Sequence, residues 1–391
     1  MKKIISAMLA LMLVLCTVNV YAEKSGNSSE NTKSTENTVK LETDAKSCIL
    51  IEASTGRVLY EDNPDERLPI ASVTKVMTML LIMEQIEAGN LNFDTMIPVS
   101  ENAMSYGGST MFLEAGEQLS VNDMLKGIAV ASANDGCVAM AEYIAGSESA
   151  FVDMMNKRAA ELGMENTHFM NTNGLDEDNH YSSARDVSLM SRELMKHEKI
   201  TEYTSIWTDS LRDGKFALAN TNKLIRFYEG ANGLKTGSTS KALCCLSAAA
   251  KRNDMQLIAV VLGAPTSAKR FSSARALLDY GFANYGVNKL VQQGEEVSEE
   301  SISKGEKESF KAAAGEGLTE LVKKSENNEC EKQVEIEHDI TAPIHKGDRI
   351  GTLRFVRNGD EIGSVPIVST EDVEKQGIGA IMAEFLHKIF G

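Results

Sequence analysis

Residues 72–88 read SVTKVMTMLLIMEQIEA. Drawn as a helix, this stretch puts Val73, Val76, Met77, Met79, Leu80, Leu81, Ile82 and Met83 on nearly every face, and a helix apolar all round belongs in the middle of a domain. Two polar residues, Ser72 and Lys75, stand at its start, three apart and therefore on one face. Further helical patterns lie at 121–131, 134–145, 148–162, 184–196 and 268–279. The fourth is opened by Ser183-Ala184-Arg185-Asp186, which has capping-box spacing. Strand-forming sequence flanks the helices on both sides. Residues 46–51 and 57–60 surround the turn Ser54-Thr55-Gly56, and 241–250 (KALCCLSAAA) and 256–264 (QLIAVVLGA) surround Lys251-Arg252-Asn253-Asp254, giving two hairpins. Strands, then helices, then strands predict an α+β domain over 46–285 whose sheet joins its two ends.

Outward from that domain the chain changes character. Residues 1–22 carry Lys2 and Lys3, an apolar run from Ile4 to Val20 and the small-residue exit Val20-Tyr21-Ala22, the pattern of a secretory signal peptide. Residues 23–45 are polar and form a solvated linker. Beyond 285, short strand-like segments with Gly351 and Asn358-Gly359 as turns predict a small β-rich domain over 286–368. In 369–391, Ile378, Ile381, Met382, Phe385, Leu386 and Ile389 recur at helical spacing, and the apolar content is too short and interrupted to span a membrane. The expectation is an amphipathic helix lying on the membrane surface, at the outer face of the cytoplasmic membrane.

The formal net charge is −16, and removal of 1–22 takes away only Lys2 and Lys3, so the exported chain is more acidic still. Such a chain is a poor partner for nucleic acid, whose binding rests on cation contacts to phosphate. The cysteines left after cleavage, Cys48, Cys137, Cys244, Cys245 and Cys330, are odd in number and irregularly spaced, and read as buried apolar residues. Cys244 and Cys245 adjoin on a strand and point to opposite faces. No His/Cys spacing resembles a metal site, and no cofactor is expected.

Three short motifs occur in order: Ser72-Val73-Thr74-Lys75, Ser132-Ala133-Asn134 and Lys235-Thr236-Gly237. A serine hydroxyl is a weak nucleophile until a base takes its proton. Lys75 can do so only if its pKa drops from near 10.4 to about 7, which needs desolvation and a neighbouring cation, for which Lys235 is the candidate. Ser132 can relay a proton to a leaving amine, and Asn134 can hydrogen-bond a substrate backbone. Gly237 permits close approach at an edge strand, along which a peptide can lie as an added strand. The Ser72 and Ser238 amides are then candidate oxyanion donors.

With Gly107-Gly108-Ser109, Gly174-Leu175, Tyr181 to Asp186, Gly233 to Thr239, and Ala342-Pro343, these motifs resemble the D-alanyl-D-alanine carboxypeptidase family of low-molecular-mass penicillin-binding proteins, over nearly the whole chain. The resemblance implies a penicillin-binding, β-lactamase-like transpeptidase domain. It also implies a serine enzyme that removes the terminal D-alanine from peptidoglycan stem peptides ending in D-Ala-D-Ala and is acylated by β-lactams. It assigns Ser72 as nucleophile, Lys75 as base and Ser132 and Asn134 as the second motif. Lys235, Thr236, Thr239 and Arg270 would face the substrate carboxylate. A class A β-lactamase would need Asp where Ala133 stands and an E-x-x-L-N element, which the stretch around Glu161 and Glu165 does not supply. His168 and His180 read as structural.

Overall fold

The structure, a computed structural model of the 391-residue chain, describes residues 40–379 together with Met382 and Ile389. The signal-peptide segment and most of the linker lie outside the described residues. A five-stranded antiparallel sheet organises the first domain. Its strands are β1 (Ser47–Glu52), β2 (Val58–Asp62), β3 (Ala231–Thr239), β4 (Leu243–Arg252) and β5 (Met255–Ala264), in the order β2-β1-β5-β4-β3. The sheet therefore joins both ends of the domain, as the strand pattern predicted.

Both faces of the sheet are covered. Ile49, Ile51, Cys245, Ile258 and Val260 face one core with α1 (Lys75–Glu87), α2 (Asn134–Ala145) and α3 (Ala184–Lys196). Cys48, Leu50, Leu246, Leu257 and Val261 face a second core against α4 (Ser267–Asn284). Burial on both faces explains why β4 and β5 read as continuous apolar runs rather than alternating ones. Cys244 and Cys245 enter different cores, as expected of neighbours on a strand. The five described cysteines are free thiols.

Strand β3 is the sheet edge. Its first half is blunted by the segment before it, where Asn222 Nδ2 donates to the Gly233 carbonyl at 2.9 Å and Thr221 and Thr236 share a hydroxyl hydrogen bond at 2.5 Å. An exposed edge offers unpaired backbone groups, so this cover leaves the Gly237 to Thr239 end as the place where another chain can add. The buried helix begins later than its apolar pattern suggests. Ala71–Thr74 is a 3₁₀ turn and the α-helix proper starts at Lys75. Along 121–131 the helix is interrupted too, with Val121–Lys126 α-helical and Gly127–Ala131 a π turn.

The chain after α4 forms β-structure around its own core of Val291, Phe310, Phe355 and Ile367. Tyr285–Val291 pairs with Leu318–Lys323, and five strands form an antiparallel sheet in the order Glu296–Ser301, Ser309–Ala314, Asp360–Ser369, Arg349–Arg357, Glu331–Ile336. One expectation is corrected here. Val373 is fully buried and bridges to Ile344, and Lys375 bridges to Gly305, so the segment up to Gly377 belongs to the β-domain rather than to a terminal helix. Helical backbone appears from Ile378. Ile378, Met382 and Ile389 are 82%, 63% and 55% exposed. Ile381, Phe385 and Leu386, on the same expected stripe, lie outside the described residues. No helix among the described residues is long and apolar enough to cross a membrane.

Candidate active site

Lys75 is fully buried at the first turn of α1. Its Nζ donates to Ser72 Oγ at 2.9 Å, to Asn134 Oδ1 at 2.7 Å and to the Asn173 carbonyl at 2.6 Å. Burial disfavours the charged amine and lowers its pKa to about 8, although Cys137 and Asp135 pull the other way. The three donated bonds are those of an ammonium, and the lowered pKa brings within reach of neutral pH the loss of one proton that leaves a lone pair against the half-buried Ser72 hydroxyl, as a general base requires. Lys235, the expected neighbouring cation, is itself buried, and its pKa is held well below the usual lysine range by burial and then by the charge of Lys75, so the two amines disfavour one another's protonation.

The second motif is shaped by an irregular helix. The π turn Gly127–Ala131 ends at Ser132, whose φ of 64° and ψ of 36° are left-handed, a conformation that β-carbon residues adopt at a cost and that recurs at functional sites. Ser132 closes one helix and Asn134 opens the next, its amide bound to the Ser109 carbonyl at 2.7 Å. The Asn134 side chain bridges the cleft floor, with Oδ1 accepting from Lys75 and Nδ2 donating to the Gly107 carbonyl at 2.7 Å. Behind it, the buried Asp135 carboxylate accepts from the Met111 and Leu113 amides, both at 3.1 Å.

The third motif lies on β3. A Cβ placed on Gly237 would sit 2.6 Å from the Ile70 carbonyl oxygen and 2.9 Å from the Ser72 amide nitrogen, so only glycine lets the strand lie against the nucleophile's own backbone. Lys235 Nζ donates to the Thr236 carbonyl at 2.9 Å, and Ser238 is exposed at the edge. Two residues that the resemblance sets toward the substrate carboxylate make close contacts with the protein itself. The Thr239 hydroxyl donates to Asp176 Oδ1 at 2.6 Å and accepts from the Ala242 amide at 3.0 Å, so it is already committed. Arg270 is buried on α4, where Nη1 donates to the Gly237 carbonyl at 3.1 Å and to the Cys245 carbonyl at 3.3 Å. It braces the ends of β3 and β4 from beneath.

The loop through Asn173 and Gly174 was the part of the site that side-chain chemistry could not announce. Asn173 contributes its backbone carbonyl, and Gly174, at φ +86°, packs so closely that a Cβ would lie 1.9 Å from the Ala71 carbonyl oxygen. Ala71 itself is left-handed at φ 49°, just before the nucleophile. His180 is structural, as read. Its Nδ1 accepts from the Met170 amide at 3.1 Å, which leaves Nε2–H to donate to Thr74 Oγ1 at 2.8 Å, and burial lowers its pKa to about 4.

A hydroxyl against a buried lysine of lowered pKa, a second serine, and a sheet edge beside them together define a serine acyl-transfer enzyme on a penicillin-binding-type α+β scaffold. A family model described as D-alanyl-D-alanine carboxypeptidase matches residues 31–266, and one for the C-terminal domain of penicillin-binding protein 5 matches 285–375. The chain is 43% identical over 382 residues to the D-alanyl-D-alanine carboxypeptidase DacF of Bacillus subtilis (strain 168), covering 96% of each. It is 33% identical to the D-alanyl-D-alanine carboxypeptidase DacC of Escherichia coli (strain K12), covering 89% of this chain and 90% of that one. Among solved structures, penicillin binding protein 5 from Haemophilus influenzae superposes with a TM-score of 0.67 at 32% identity, covering 86% and 99%. Penicillin-Binding Protein D2 from Listeria monocytogenes, solved with ampicillin bound, superposes at 0.55 and 32% identity, covering 62% and 99%. The chain belongs to the D-alanyl-D-alanine carboxypeptidase family.

Proposed function

We propose that this protein removes the terminal D-alanine from peptidoglycan stem peptides through an acyl-enzyme on Ser72. The observation that carries the reading is the fully buried Lys75, 2.9 Å from Ser72 Oγ. Neutral Lys75 takes the Ser72 proton as Oγ attacks the carbonyl carbon of the penultimate D-alanine. The Ser72 and Ser238 amides receive the developing oxyanion. The C–N bond breaks, the leaving amine takes through Ser132 the proton that Lys75 received, and free D-alanine departs. Water then attacks the ester and gives a proton to Lys75, which passes it to Ser72 Oγ as the C–O bond breaks, and the shortened peptide leaves as an acid.

Asn134 aligns the peptide backbone, and Thr236 and Ser238 meet the terminal carboxylate, whose negative charge favours protonation of the buried Lys235 beside them. Arg270 and Thr239 serve that carboxylate by shaping the strand rather than by lying in its path. A β-lactam presents an acyl group and a carboxylate in the same relation, and so acylates Ser72. The signal-peptide pattern and the apolar residues after Ile378 support export and peripheral attachment to the outer face of the cytoplasmic membrane. The test is D-alanine release from a peptide ending in D-Ala-D-Ala, beside consumption of the β-lactam nitrocefin. Steady release with no more than slow nitrocefin turnover is expected; rapid nitrocefin turnover without D-alanine release would overturn the reading.

A further inference from the structure

The loop after Asn173 touches both walls of the cleft. On one side the Asn173 carbonyl holds Lys75 and Gly174 packs on the Ala71 carbonyl. On the other, the Asp176 carboxylate receives the Thr239 hydroxyl at 2.6 Å, the Ser240 hydroxyl at 3.4 Å and the Lys241 amide at 3.3 Å. Lys241 Nζ adds a tie to Asp178 Oδ1 at 3.2 Å. The span between the two contacts is stiffened from within: Asn171 Oδ1 accepts from the Gly174 amide at 2.7 Å, and Asn173 Oδ1 from the Leu175 amide at 3.0 Å. A displacement at Asp176 is therefore passed to the carbonyl that holds the base.

We propose that Asp176 is a positioning residue for the peptidase reaction, fixing the spacing between the substrate-binding end of β3 and the Ser72–Lys75 pair by holding Thr239 and the turn after it. The proposal rests on the acyl-enzyme reading above and adds to it a residue that touches neither substrate nor nucleophile. A peptide on the edge strand must offer its carbonyl to Ser72 Oγ at about 3 to 3.5 Å, and a misplacement of about 1 Å can cost on the order of a hundredfold in rate. Asp176 is exposed, so its bonds add little to global stability. Its effect belongs to alignment.

Steady-state kinetics on a D-Ala-D-Ala peptide, with melting curves, test this on Asp176→Ala, Thr239→Val, Thr239→Ser and the double variant Asp176→Ala/Thr239→Val. Asp176→Ala and Thr239→Val should each lower kcat/KM by roughly tenfold to a hundredfold, with KM raised at least about threefold, because a misplaced peptide slows acylation relative to hydrolysis of the acyl-enzyme. Mere loss of folded enzyme would lower kcat at unchanged KM. Thr239→Ser keeps the hydroxyl and should stay within about threefold of wild type, and the double variant should be no worse than the weaker single one, since both remove one interaction. Wild-type kinetics in Asp176→Ala, equal loss in Thr239→Ser and Thr239→Val, or losses that multiply in the double variant would each overturn the proposal. Ser72→Ala run alongside separates the two readings: a variant that still turns over peptide sinks the acyl-enzyme assignment itself, whereas an inactive Ser72→Ala beside a fully active Asp176→Ala removes only the positioning role.

Discussion

Lys75 must be uncharged when it takes the Ser72 proton, and its burial makes that state accessible near neutral pH. With its pKa lowered to about 8, the neutral fraction grows as pH rises through that value. Acylation, read as kcat/KM or as the second-order rate with penicillin, should therefore climb along a limb centred near pH 8 and level off above it. A rate that is flat from pH 6 to 10 would contradict a lysine base. At this scale Ser72, Lys75, Asn134 and Lys235 were legible because their chemistry resides in their side chains. Asn173 was not, because it acts through a carbonyl that every residue carries. Thr239 and Arg270 were legible as members of the site but not in their contacts, since whether a hydroxyl or guanidinium faces substrate or backbone depends on which chain segments pack beside it.

At the scale of elements, the ranges 134–145 and 184–196 match the observed helices Asn134–Ala145 and Ala184–Lys196, the first closed by left-handed Gly146 and the second opened by the Ser183 cap. The start of the buried helix was misplaced because nothing local marks Ala71 as strained; alanine is the best helix former, and its left-handed φ is imposed by Gly174 and Gly237 packing on it. The short hairpin of Thr208–Leu211 and Phe216–Ala219 was missed as well, its strands being only four residues each. Gly174→Ala tests how much the site depends on this contact. A Cβ there meets the Ala71 carbonyl oxygen at 1.9 Å in a left-handed backbone, so a stability loss of about 2 to 4 kcal/mol and a collapse of kcat/KM are expected. Gly89→Ala, also left-handed but with nothing within 4 Å of the added carbon, should cost only about 1 to 2 kcal/mol and spare activity. Equal effects of the two in melting and kinetic measurements would show that the contact is dispensable.

For the whole molecule, the order of an α+β domain followed by a β-rich one was readable, but the junction between the β-domain and the terminal segment was not. Val373 resembles the stripe in sequence and belongs to the β-domain core in space. That fixes where a truncation should fall. A chain ending at Gly377 keeps Val373 and the Lys375 bridge, and should move from the membrane pellet to the soluble fraction with penicillin binding intact. If it still pellets, the membrane contact lies elsewhere. Acyl transfer in this protein stands on the covalent chemistry of one serine, and intact-mass spectrometry after penicillin treatment reads it directly. The wild-type protein should gain the mass of one drug molecule while Ser72→Ala, folded to the same melting temperature, gains none; an adduct retained by Ser72→Ala would contradict it.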